Sequence, residues 1–153
     1  MLALYLLKRH LGVPRPTKKR VLDFIRLRRL MHIPDADKAL RSTGEPIWEN
    51  DLAWKREDLS EAGFLRMPEH GIWEITDRGE LEVVAWARKV DELASADPNW
   101  RERISKHLSE EQEESDDFEI VLEYYITVET VEWGVKIAQE QRQGEPVRPD
   151  NVG

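Results

Sequence analysis

The sequence predicts a mainly α fold: a winged helix-turn-helix with a small β-hairpin wing, followed by a C-terminal helical extension. Three observations carry this. Trp48, Leu52, Leu59 and Ala62 recur at spacings of four, seven and three, which sets them on one helical stripe. Phe64-Leu65 and Ile72-Trp73-x-Ile75 are β-forming and flank Met67-Pro68-Glu69-His70-Gly71, whose Pro and Gly suit a hairpin connection. Residues 117–143 then place Phe118, Val121 or Leu122, Tyr125, Val128, Glu132 and Val135 at three- and four-residue spacings, close to a heptad seam.

Taken in order, residues 2–11 predict a first helix, broken by Gly12-Val13-Pro14-Arg15-Pro16. Thr17 is an N-cap for a second helix reaching about residue 31, with Val21, Leu22, Ile25, Leu27 or Arg28, and Leu30 near helical spacing. Pro34 ends it, residues 35–40 suggest one more helical turn, and residues 41–46 read as a loop. Gly63 suits the left-handed position that closes the helix before the hairpin. Thr76 caps the next helix, which runs through residues 80–96 with Leu81, Val84, Ala85 and Arg88 on one side. Beyond Asp97-Pro98, a helix from Trp100 to about residue 114 carries Ile104 and Leu108 and ends in an acidic run. The polar stretch 144–153 reads as a frayed tail. The expected division is a winged-helix domain at 1–96, a helical extension at 97–143 and a tail at 144–153.

The central stretch resembles a known family. Trp48-x-Asn50, Trp54, Leu59-x-x-Ala62-Gly63-Phe64-Leu65 and Gly71-Ile72-Trp73-x-Ile75-Thr76-x-x-Gly79 look like the N-terminal winged-helix domain of Mrr-type restriction endonucleases. Ser42-x-Gly44-x-Pro46 looks like its lead-in, and the resemblance spans residues 3–90. It implies a DNA-recognition module of the kind usually joined to a separate nuclease that cuts modified DNA, and so a link to restriction-modification. Two positions depart from the family pattern: Asp51 stands where an Arg is frequent, and Glu69 lies in a wing that is often basic.

Charge is divided along the chain. The net charge of −8 hides fifteen Lys and Arg against twelve Asp and Glu in residues 1–79, and eight against nineteen in residues 80–153. Such asymmetry fits a DNA-facing end and an acidic end with another use. In a winged helix the recognition helix enters the major groove while flanking cations meet phosphates. That assigns Asn50, Lys55 and Arg56 to the recognition helix, Arg15, Lys18, Lys19 and Arg20 to the backbone, and His70 to the wing tip. For Lys55 and Arg56 the alternative is intrahelical pairing with Glu49, Asp51 or Asp58, at about 0.2–0.5 kcal/mol per pair. Glu49, Asp51, Glu57, Asp58 and Glu61 make this helix acidic, and phosphates repel it. Trp48 and Trp73 read as core, whereas Trp54 lies off the stripe, either packed on a neighbour or exposed to a partner.

Catalysis is not expected. No lysine has an Asp or Glu two positions before it, so the Asp/Glu-x-Lys element of the accompanying nucleases is missing. His10, His32, His70 and His107 lack metal-like spacing, the chain has no cysteine, and there is no Gly-rich phosphate loop. No catalytic residue, metal or cofactor is therefore assigned. The apolar run 2–7 is too short for a membrane span and lacks the charged start of a secretion signal, which predicts a soluble cytoplasmic protein. The assigned partners are double-stranded DNA and a second copy of the chain, dimerised through Phe118, Leu122, Tyr125, Val128 and Val135. The alternative for that seam is an intrachain cap. The alternative function is a protein-interaction module on the same scaffold, serving a restriction or phage-defence partner or imitating DNA. Whether the basic cluster and the helix 49–62 share one face separates the two functions.

Overall fold

The computed structural model describes residues 1–31, 38, 40–110 and 127–144, with the side chains of 107–110 excepted. Its helices are α1 (Leu2–Leu11), α2 (Lys18–Leu27), α3 (Ile47–Glu61), α4 (Asp77–Ala96), α5 (Trp100–Glu110) and α6 (Val128–Gly144). Two short antiparallel strands, β1 (Leu65–Arg66) and β2 (Glu74–Ile75), form the wing, with Leu65 opposite Ile75 and Arg66 opposite Glu74. The mainly helical winged helix with a hairpin wing is thus observed.

Local chemistry sets the boundaries. Gly12 closes α1 in the left-handed region. The Thr17 hydroxyl accepts from Arg20 N–H at 3.2 Å and starts α2. Thr76 does the same for α4 through Gly79 N–H at 3.1 Å, and its own hydroxyl donates to the Gly63 carbonyl at 2.7 Å. One hydroxyl therefore ties the end of α3 to the start of α4. Gly79 is required for another reason: a Cβ there would stand 2.0 Å from the Phe64 carbonyl oxygen.

The main core joins Leu4, Leu6 and Leu7 of α1, Val21, Leu22 and Ile25 of α2, and Trp48, Leu65, Trp73 and Ile75 of the helix–wing unit. Val83 and Ala87 of α4 and Ile137 of α6 complete it. A second cluster of Val90, Ala94, Trp100, Ile104 and Val131 lies between α4, α5 and α6. Gly134 lets α6 approach α4 closely, since a Cβ there would lie 2.9 Å from Val90 Cγ1.

Several expectations change register. Helix α2 ends at Leu27 rather than near residue 31, and Arg29 turns the chain with φ 53°. Leu27 is consequently exposed at 76%, while Leu30 is buried. Ala62 is the C-terminal cap of α3 and is exposed, off the expected stripe. In α4 the inward face is Val83, Ala87, Val90 and Ala94, whereas Leu81 is 71% exposed and Ala85 and Arg88 face outward. The reason is α6, which covers α4 from a distant part of the sequence. Of the expected turn at 35–40, only residues 38 and 40 are described. The 111–126 part of the expected C-terminal helices, the acidic run beyond 110 and the tail beyond 144 lie outside the described residues.

Candidate nucleic-acid interface

The start of α2 is fastened to the wing. Lys18 N–H donates to the Gly71 carbonyl at 3.0 Å, and Trp73 N–H donates to the Pro16 carbonyl at 2.9 Å. Thr17 and Ile72 form an antiparallel bridge that extends the hairpin by one step. The Lys18 ammonium lies 3.0 Å from Glu45 Oε1, in the loop that leads into α3. These contacts gather the basic start of α2, the wing turn bearing His70 and the approach to α3 at one end of the molecule.

The cations assigned from sequence differ in their freedom. Lys19, Arg20 and His70 are exposed. Lys18 shares its charge with Glu45. Arg15 holds Glu74 at 2.5 Å, and Arg66 holds the other oxygen of the same carboxylate. Glu74 is only 8% exposed. Hydrogen bonds from Arg15 and then Arg66 keep its carboxyl below the usual glutamate range, against the opposing effect of burial. Both guanidinium groups remain largely exposed, so they bridge an anchored anion and the solvent.

Helix α3 turns most of its carboxylates to the solvent. Asp51, Trp54, Glu57, Asp58 and Glu61 are exposed, with Trp54 at 67%. Lys55 and Arg56 are half-buried and line a hollow between α3 and the core. The Arg56 guanidinium stands 5.6 Å from the Trp73 ring centroid and 3.0 Å from Glu57. The apolar content of α3 explains this. Only Trp48 is fully buried and Leu52 and Leu59 are half-buried, so the aliphatic stems of Lys55 and Arg56 cover the remaining apolar surface. Asn50, in the first turn, is half-buried.

A second buried carboxylate, Glu80, receives Lys8 at 3.1 Å and Arg9 at 2.6 Å and joins α4 to α1. Burial raises the Glu80 pKa, but the bonds from Arg9 and Lys8 outweigh it and the net shift is downward. No sequence pattern marked Glu74 or Glu80: Arg66 faces Glu74 across the hairpin, but Arg15 lies 59 residues from Glu74, and Arg9 and Lys8 lie 71 and 72 residues from Glu80. Among the seam residues, Val128 and Val135 are half-buried against the second cluster of their own chain. Phe118, Leu122 and Tyr125 lie outside the described residues. Among the described residues no group of three or more His, Cys, Asp or Glu is placed to hold a metal ion, and no helix is long and apolar enough to cross a membrane.

Comparison with known proteins gives one family. Residues 16–88 match the model of the Mrr N-terminal domain, as the sequence resemblance anticipated. The match takes in α2, α3, the wing and the first part of α4. No curated protein and no solved structure matches the chain.

Proposed function

We propose, from the Mrr N-terminal domain over residues 16–88 and the geometry at its basic end, that this protein binds double-stranded DNA and is not itself a nuclease. The observation that supports the reading is the fastening of the α2 start to the wing by the Lys18–Gly71 and Trp73–Pro16 hydrogen bonds. It supports a role for the exposed Lys19 and Arg20, next in sequence to Lys18, with the entry to α3 held close by Lys18 and Glu45. Lys19, Arg20 and His70 meet phosphates, Arg15 reinforces them, and Asn50 is the base-reading candidate in the first turn of α3. Lys55 and Arg56 act on the core side and not as groove contacts.

The test is fluorescence anisotropy with a labelled random duplex across a salt series. Binding weakens with salt by a slope of about 0.9 in log K for each neutralised phosphate. The double reversal Lys19→Glu with Arg20→Glu makes that slope shallower by about 2. Absence of binding at low salt, to plain and to methylated duplex, overturns the reading.

The outward face of α3 favours a second reading. Trp54 stands exposed among Asp51, Glu57, Asp58 and Glu61, a surface that phosphates repel and a basic protein segment fits. On that reading the scaffold is a protein-interaction module for a restriction or phage-defence partner. The homodimer is a separate proposal and rests on Phe118, Leu122 and Tyr125 rather than Val128 and Val135. A light-scattering mass that stays at one chain over a concentration series removes it.

A further inference from the structure

The wing is bordered by a third length of extended chain. The Lys18–Gly71 and Trp73–Pro16 hydrogen bonds and the Thr17–Ile72 bridge run residues 15–18 antiparallel beside 71–74. That register sets Arg15 opposite Glu74. On the other side of the same strand, β1 sets Arg66 opposite Glu74. Arg15, Glu74 and Arg66 therefore form one row across three backbone segments, and directly opposed residues share a face. Successive residues of a strand alternate between faces. Leu65, Trp73 and Ile75 belong to the main core, so the row lies on the outer face of the wing. A glutamate on an outer face is ordinarily exposed. Glu74 is buried because the two arginines lie over it, each donating from Nε to a different carboxylate oxygen. A guanidinium engaged from its Nε side still presents the Nη1–Nη2 edge, and both side chains are more than 60% exposed. Two cations share one anion, so the row keeps one net positive charge. Both side chains are already ordered on Glu74, which lowers the entropy that a further ligand must remove. A phosphodiester, anionic and with paired acceptor oxygens, matches the fork of each outer edge.

We propose that Arg15 and Arg66 act together as a phosphate clamp on the outer face of the wing, held in register by Glu74, and that Arg66 is a DNA contact in its own right. The inference rests on the DNA-binding reading and extends it from the start of α2 to β1. The clamp grips the duplex backbone and reads no base. Glu74 fixes both side chains and offsets one of their two charges.

Single substitutions in the full chain test this, because either arginine alone still pairs with Glu74 and leaves no orphaned buried charge. The probe is a labelled random duplex, followed by anisotropy across a salt series, with thermal unfolding to check that each variant is folded. Arg66→Gln makes the slope of log K against log salt shallower by about 0.9, the share of one phosphate, and Arg15→Gln does the same. Arg66→Lys keeps the charge and a partner for Glu74, but an ammonium has no second edge to offer. Duplex affinity therefore falls about tenfold in Arg66→Lys, the factor for one lost hydrogen bond. If the native chain binds duplex and folded Arg66→Gln binds it with the native slope, the clamp is overturned and the DNA-binding reading stands. Native affinity in Arg66→Lys overturns the clamp as well, since charge alone then suffices. Absence of duplex binding by the native chain overturns both.

Discussion

The Thr127 hydroxyl donates to the Arg29 carbonyl at 2.6 Å, across 98 positions of sequence. Thr130 repeats the contact one residue on, its hydroxyl donating to the Leu30 carbonyl at 3.0 Å, and both threonines are buried. Arg29 has φ 53°, an uncommon conformation for a residue with a side chain, and the first turn of α6 holds the carbonyl that this turn presents. Thr127 also accepts Thr130 N–H at 3.1 Å. Thr127→Val therefore removes a helix cap and the hydroxyl that meets the part-buried Arg29 carbonyl. The expected loss is about 2 kcal/mol in urea unfolding, from both effects together. Thr127→Ser keeps the hydroxyl and holds most of the stability. A Thr127→Val protein as stable as the native one would show that the hydroxyl contributes nothing to the junction.

Glu74 offers a test of opposite sign to the charge reversals. Its folded pKa is depressed, so its contribution is complete above the unfolded glutamate value and lost as pH falls through the folded one. Glu74→Gln should flatten the acid side of the stability–pH curve and leave its alkaline side unchanged in shape. The same variant frees Arg15 and Arg66, both exposed by more than 60%, from their anion. Duplex affinity then rises and the salt slope steepens by about 1–2. Unchanged affinity would show that these two arginines stand away from the DNA.

The helix–hairpin–helix unit was legible because its signals are local. Gly63, Thr76 and the Met67–Gly71 turn each act within a few residues, and each acts where its chemistry indicates. The faces were less legible. Helix α4 has apolar residues on two sides, Leu81, Val84 and Ala85 on one and Val83, Ala87 and Val90 on the other. Only the arrival of α6 decides between them, and that contact is long-range. For the candidate site, clustering drew attention to the start of α2. It could not show that Lys18 is shared with Glu45 and Arg15 with Glu74, nor that Lys55 and Arg56 turn inward.

Two glycines should rank differently on substitution. At Gly79 an added Cβ meets a backbone oxygen at 2.0 Å, which cannot move without displacing the end of α3. At Gly134 it meets the Val90 side chain at 2.9 Å, and alanine is also the better helix former by about 1 kcal/mol. Gly79→Ala is therefore strongly destabilising, while Gly134→Ala stays within about 1 kcal/mol of the native protein, because overpacking and propensity oppose each other. Gly134→Leu overpacks the α4–α6 contact and costs about 1–3 kcal/mol. Thermal unfolding followed by circular dichroism gives the order. A Gly134→Leu protein as stable as the native one would separate α6 from α4.

Helix α3 carries two tryptophans six positions apart, and its orientation rests on which one is inside. Trp48 is 6% exposed in the main core, and Trp54 is 67% exposed. Truncating a buried tryptophan to alanine costs about 3–5 kcal/mol, so Trp48→Ala should bring the protein close to unfolding. Trp54→Ala should lie within about 0.5 kcal/mol of the native value, as surface changes do. Acrylamide quenching gives the same contrast without a stability measurement: Trp48→Phe keeps the readily quenched component of the emission, and Trp54→Phe removes part of it. Trp54→Ala also separates the two functions. If the phosphate contacts run through Lys19 and Arg20, duplex affinity is unchanged, because Trp54 stands among exposed carboxylates that phosphates repel. Loss of duplex affinity in Trp54→Ala would bring the outward face of α3 into the DNA contact despite its carboxylates.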